Sequence, residues 1–352
     1  MNRYEVPPTQ LINEQAADQY LKEDWQSSAN PSNSPTEPLR KIKTGIFIQS
    51  LDFSSSSQVH VTGYIWQRYQ HRIDDDIKPK LGEAGFILPE QVDSNEAKEV
   101  YRIQYENEEL IGWYIDATLR QPFNYKNYPF DHKTIWVRMW AKKFSHNIVF
   151  TPDYSAYNST GLNDIFGIEK NIVLGTWTRE NTFFNYHLSS YDTNFGITEY
   201  VGQTGFPELH YNFVIKRKFE NAFIVYLLPL LLVSMLLFAA LLTVSKDTGL
   251  SNRHGFSTSG FIAATSTLFF VVMLAHIQLR EEVAGATIVY IEYFYIIMYV
   301  MLVSATANTY LFTTQTAPWL GFIHYKDNII PKLAYWPIIL TSLVGITLWV
   351  SW

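Results

Sequence analysis

The placement of charge constrains this chain more than any other feature. Between Asn221 and Trp352 it carries five basic residues (Lys246, Arg253, Arg280, Lys326, Lys332) and five acidic ones (Asp247, Glu281, Glu282, Glu292, Asp327). The other 22 of its 27 basic and 28 of its 33 acidic residues precede that point. Spanning the hydrocarbon of a bilayer takes roughly 20 apolar residues. Four runs meet that need, and spans are expected at about 222–244, 256–279, 284–312 and 333–352. The first contains Pro229, the third one acid, Glu292. The second differs in carrying Thr265, Ser266, Thr267 and His276, and polar groups at membrane depth face a protein interior or water.

The front of the chain is of another kind. The net charge of −6 argues against nucleic acid as a partner, which would call for a basic surface. No cysteine is present, so disulfides, thiolate metal sites and cysteine nucleophiles are excluded. Residues 39–219 are rich in β-branched and aromatic residues, with strands expected over 43–51, 59–66, 100–105, 110–119, 134–140, 172–178, 183–190 and 208–216. A polar turn over 52–57 would join the first two as a hairpin. Short strands without convincing helices imply an antiparallel β-sandwich. The predicted fold is therefore an N-terminal β-sandwich domain, 39–219, followed by a four-helix transmembrane domain, 220–352. Residues 1–38 are expected to be a disordered or linker segment, since 27–38 is Ser/Asn/Pro-rich. They hold no apolar leader, so export of the front half would imply that the natural N-terminus is missing.

A search for catalytic chemistry is negative. No phosphate-binding glycine loop, nucleophile elbow or zinc-type histidine pair at helical spacing occurs, and no enzymatic activity is expected. Two acidic groups, Asp74, Asp75 and Asp76 beside His71, and Glu106, Glu108 and Glu109, are weak candidates for a divalent cation, though such runs are more often solvated turns. No cofactor is implied beyond that divalent modulation.

At helical spacing Ser259, Ala263, Ser266, Phe270, Met273 and Ile277 form one stripe of the second span. It reads as a pore lining with a hydrophobic constriction. Ordinary small-residue helix packing is the competing reading. Basic residues divide four against four between the two sides of a four-span bundle, so charge does not set the orientation.

One motif is specific. Tyr128, Pro129, Phe130 and Asp131 lie between two expected strands and resemble the Tyr-Pro-Phe-Asp loop of the pentameric ligand-gated ion channels, the Cys-loop family. Animal members flank this loop with two cysteines; here the corresponding positions are Gln121 and Ile135, a departure shared with prokaryotic members. Pro129 and Asp131 would then shape the loop by turn geometry and local hydrogen bonds. The resemblance runs along almost the whole chain after residue 38. Leu88, Pro89 and Glu90 with Asn95, Tyr69 on the second strand, Gly175 to Trp177, the basic run ending at Lys218, Pro229, and the short link 313–332 fall in the family's order.

The resemblance implies a subunit of a homopentameric, cation-permeable ligand-gated channel in the inner membrane of a bacterium, multi-pass, with the sandwich outside. Its partners would be four further copies, lipid, permeating ions and a small-molecule or ion ligand. Five copies of the second span would surround the water path, Phe270 and Met273 forming apolar rings that dewet when narrow. A register one residue away would substitute Ile262 and Phe269. Glu281 and Glu282 would form acidic rings at the outer mouth, opposed by Arg253 and His254 at the inner one. Gating would couple Arg280 with the hairpin turn near Asp52, with Tyr128–Asp131 and with Arg217. Ligand would bind between subunits, with Tyr69 on one face and Trp140, Phe195 and Tyr200 on the other. The alternatives are a membrane-anchored β-sandwich receptor or adhesin without a pore, and a membrane-tethered hydrolase using acids such as Asp74 or Glu90.

Overall fold

The computed structural model describes residues 7–25, 39–70, 84–142, 148–197, 205–247, 249, 255–283, 287–316 and 319–351. The chain divides into two compact units. One joins Arg3–Phe123 with His132–Lys216; the other joins Asn124–Asp131 with Arg217–Trp352. The Tyr-Pro-Phe-Asp loop thus groups with the apolar helices.

The first unit is built on two sheets. Strands β1 (Arg40–Ser55), β2 (Gln58–Gln70), β4 (Lys98–Gln104), β5 (Glu108–Arg120) and β7 (Ile148–Pro152) form a five-stranded sheet in the order β4-β5-β2-β1-β7. Strands β3 (Phe86–Ile87), β6 (His132–Ala141), β8 (Trp177–Ser189) and β9 (Phe206–Arg217) form a four-stranded one in the order β3-β6-β9-β8. Alternation along each strand supplies a single buried cluster. Val59, Val61 and Ile65 of β2 join it from one sheet, and Val137, Met139, Leu209, Tyr211 and Phe213 from the other.

Several expectations need correction. The five-stranded sheet is not wholly antiparallel, because β7, which the sequence reading missed, runs parallel to β1 with Arg40 opposite Ile148. Residues 171–176 do not form a strand; β8 begins at Trp177, after Gly175 at φ +56. Asp52 is not in a turn. Irregularities between Ile48 and Ser50 and between Phe53 and Ser55 let β1 continue, Asp52 pairs with His60, and the turn falls at 56–57. Residues within 1–38 are also ordered into the unit. Glu14–Gln19 is helical and runs into a π-turn, Tyr20–Trp25, while Leu11, Ala17 and Leu21 enter the core. Asn13 caps this helix by accepting from Ala16 N, and Lys41 and Lys43 pair with Asp18 and Glu14.

The second unit holds four helices long and apolar enough to cross a membrane: Phe219–Leu242, Thr258–Glu282, Glu292–Thr314 and Ile329–Val350. Pro229 lacks the N–H that would bond the carbonyl of Val225, and the preceding Phe223–Leu227 widens into a π-turn. Ser257 caps the second helix by accepting from Gly260 N at 3.1 Å. The third starts at Glu292, later than expected. Tyr290 N donates to Lys126 O at 3.0 Å, which draws 287–291 out of helical geometry, and the Glu292 carboxylate accepts from Val289 N at 2.7 Å.

Candidate functional site

In the four-stranded sheet, Val137, Met139, Leu209 and Tyr211 point into the core, so Arg138, Trp140, Glu208 and His210 take the other face. On that face Glu208 is 6% exposed and its carboxylate is the acceptor of a dense set of donors. Ser189 Oγ and Tyr191 OH each donate at 2.6 Å, Trp140 Nε1 at 2.7 Å and Arg138 Nη1 at 3.2 Å. Arg138 also pairs with Glu90 at 2.6 Å and lies 5.4 Å from the Trp140 ring centre. Two carboxylates thus meet one guanidinium, leaving one negative charge in excess.

Above this base three rings meet edge to face: Trp140 with Tyr191 at 5.4 Å, Trp140 with Phe195 at 6.0 Å and Tyr191 with Phe195 at 5.7 Å. Phe195 is 42% exposed and sits at φ +54 in the segment between β8 and β9. Burial, and then Glu208, raise the Tyr191 phenol above its ordinary value, so it stays a donor. Burial, then Arg138 and His187, push the neighbouring His210 imidazole down to about 3, so it stays neutral.

Of the expected ligand residues, Trp140 and Phe195 come together here, and Tyr200 lies outside the described residues. Tyr69, expected on the opposite face of a site between subunits, belongs to β2 of the other sheet; its hydroxyl donates to Gln67 Oε1 and accepts from Gly85 N, and its ring packs against the core. Sequence reasoning named Glu90 only as a possible hydrolase acid and missed Arg138, Tyr191 and Glu208. The usable signal was an acid on an alternating strand position, opposite the basic strand β6. A separate recess of about 280 Å³ is lined by Gly85, Leu88, Asn95, Trp113, Asp116 and Lys142.

The weak divalent candidates do not converge. Asp74, Asp75 and Asp76 lie outside the described residues. Glu108 pairs with Arg68 at 2.7 Å and Glu109 with Arg102 at 2.9 Å, while Glu106 is exposed in the intervening turn. Among the described residues no three His, Cys, Asp or Glu are grouped to hold a metal ion.

The Tyr-Pro-Phe-Asp loop is closed without covalent help. At its base the Gln121 amide donates to Trp136 O and accepts from Trp136 N. Within the loop Tyr128 N donates to Tyr125 O and Phe130 N to Asn127 O, and the Tyr128–Pro129 bond is cis. Phe130 stacks on Phe219 at 5.0 Å and meets Tyr290 at 6.2 Å. Arg217 Nε donates to Asp131 Oδ1 at 2.8 Å and Nη1 to Glu282 Oε1 at 2.9 Å. Tyr226 OH also donates to Glu282. Glu282, expected as a free charge of an outer ring, is therefore paired within its own chain; both it and Glu281 are exposed. Arg280, expected to couple the units, donates to both oxygens of Glu292, which also lies 3.3 Å from His276 Nε2.

In the second helix Phe261, Thr265, Val272 and Leu279 are buried on one face. Thr265 accepts from Thr306 of the third helix, and His276 stacks on Tyr295 at 4.9 Å. At about 100° per residue the stripe Ser259, Ala263, Ser266, Phe270, Met273 and Ile277 falls on the opposite face. All are exposed but Met273, which is half-buried, and Phe270 is 57% exposed. The alternative register has Phe269 against Tyr299 at 5.5 Å. Ser266 Oγ donates to Ile262 O at 2.8 Å, so its oxygen lone pairs remain outward. Arg253 and His254 lie outside the described residues.

No family model and no curated protein matches this chain.

Chemically, the two places are distinct. The ring cluster over Glu208 offers π-faces and surplus negative charge, a combination that suits an organic cation. The outward face of the second helix offers hydroxyl oxygens at one end and bulky apolar groups at the other, with the exposed Glu281 beyond them at the helix end.

Proposed function

We propose that the chain is one subunit of a homopentameric ligand-gated cation channel of the prokaryotic type. The observation that carries this reading is the second helix. Its hydroxyl-bearing stripe is turned away from the helices of its own chain, where in a lone bundle Ser259 and Ser266 would meet lipid at a cost. Five copies around an axis would give that stripe a water path. Ser266, having donated its proton to the helix, would offer oxygen to a partly hydrated cation, and rings of Phe270 and Met273 would close the path by dewetting. The two sheets sharing one core would form a β-sandwich outside the cell. Trp140, Tyr191, Phe195 and Glu208 would receive an ammonium-bearing agonist there, with Glu281 concentrating cations at the outer mouth.

The test is assembly and conduction together. The purified chain is imaged by electron microscopy and reconstituted into planar bilayers under a potassium chloride gradient. The reading expects five-fold particles and currents reversing near the cation potential. A monomeric particle without current would favour the membrane-anchored receptor or adhesin, and reversal at the chloride potential would overturn cation selectivity.

A further inference from the structure

Strands β8 and β9 are neighbours in the four-stranded sheet, and their outward side chains run in step. Asn212 donates to Asn185 at 2.8 Å, and Ser189 donates to Glu208 at 2.6 Å. Between these two contacts His187 of β8 stands beside His210 of β9, ring centres 5.5 Å apart and planes inclined by 42°. We propose that His187 and His210 form a two-histidine binding site for a borderline divalent transition metal such as Zn²⁺, Cu²⁺ or Ni²⁺, completed by water.

The spacing fits the chemistry. An imidazole nitrogen lies about 2.0–2.1 Å from such a metal, with the ring centre about 1 Å further, so two rings at a tetrahedral angle have centres about 5 Å apart. A small side-chain adjustment closes the gap from 5.5 Å. His210 Nε2 is buried and makes no hydrogen bond, so a ring nitrogen is uncommitted. His187 is exposed and gives a route of entry. Arg138 sits opposite His210 on β6, but its charge is already more than offset by Glu90 and Glu208. Imidazole selects Zn²⁺, Cu²⁺ or Ni²⁺ over Ca²⁺ and Mg²⁺, which prefer oxygen. The chain has no thiol to compete. A metal here would tie together the two strands that flank Phe195. The site is independent of the channel reading and stands or falls by metal binding alone.

Zn²⁺ is titrated calorimetrically into the full chain in detergent, and Cu²⁺ loading is followed by pulsed electron paramagnetic resonance, which counts bound imidazoles. The wild type is expected to bind one metal per chain through two imidazoles. His187→Ala should weaken that component at least tenfold and drop the count to one. His187→Asp, which restores a ligand, should recover affinity to within a few-fold and controls for folding of the exposed position. Unchanged Zn²⁺ affinity and stoichiometry in His187→Ala, or a wild-type Cu²⁺ spectrum with fewer than two imidazoles, would overturn the site.

Discussion

The Arg217 guanidinium donates to the Asp131 carboxylate at 2.8 Å, with side chains only 6% and 3% exposed. The same guanidinium lies 4.5 Å from the Tyr128 ring and reaches Glu282 at the end of the second helix. One cation therefore joins the loop and the helix end. Removing either partner of a buried pair leaves an uncompensated charge and costs about 3–5 kcal/mol. Asp131→Ala should lower the melting temperature in detergent by several degrees, and Asp131→Leu with Arg217→Met should recover much of the loss. A double variant no more stable than the single one would show that the charges are needed for more than mutual neutralisation.

Phe270 projects from the face of the second helix opposite Phe261 and Val272, so Phe270→Ser should not disturb the bundle. In the proposed channel it removes a dewetting ring. Basal ion flux into liposomes should rise several-fold without agonist. Flux equal to wild type would place the constriction elsewhere.

Phe195 is the most accessible ring over Glu208. A cation against an aromatic face gains about 0.5–2 kcal/mol, so Phe195→Ala should raise the half-maximal agonist concentration about two- to thirty-fold, with assembly unchanged. Glu208→Gln should shift it in the same direction. Equal losses of assembly and response in Phe195→Ala would mean that the ring is only packing.

The two neighbouring acids at the end of the second helix should separate. Glu281→Gln should reduce single-channel cation conductance by about twofold, most visibly at low salt, where screening is weak. Glu282→Gln should leave conductance alone and lower stability by about 1 kcal/mol, because its oxygens accept from Arg217 and Tyr226. The reverse pattern in paired recordings and melts would put Glu282 in the ion path.

Asp153 gives an acid limit to the first unit. Burial pushes its carboxyl up, but hydrogen bonds from Ser155, Arg68 and Trp66 outweigh this and hold it below the ordinary 3.8. A lowered carboxylate contributes stability above its unfolded value, and that contribution is lost as pH falls below about 3.8 toward the folded value. Asp153→Asn should cost about 1–3 kcal/mol at neutral pH, and its deficit against wild type should shrink in melts below pH 4. A deficit independent of pH would assign the loss to packing.

The membrane helices were legible because nothing but a span explains long runs without charge. The long strands were legible because β2 and β6 alternate cleanly between core and surface. Strand β7 was not, since it is five residues ending in Pro152 and its partner β1 lies far back in the chain. The Glu14–Gln19 helix was hidden by its polar composition; only Leu11, Ala17 and Leu21 mark its buried side. Trp140 and Phe195 were found as aromatics, but Glu208 acquires its meaning from Ser189, Tyr191 and Trp140, which only folding brings to it. The commitments of Glu282 and Arg280 were likewise invisible, because a charge at a helix end does not declare its partner.

The Gln121 amide clamp on Trp136 has a consequence for where such a chain can mature. Two hydrogen bonds close the loop, and no covalent bridge takes part. Closure therefore needs no oxidant, no disulfide isomerase and no oxidising compartment. Thiol reductants should leave the loop untouched, so it offers a background in which engineered cysteines report only on themselves.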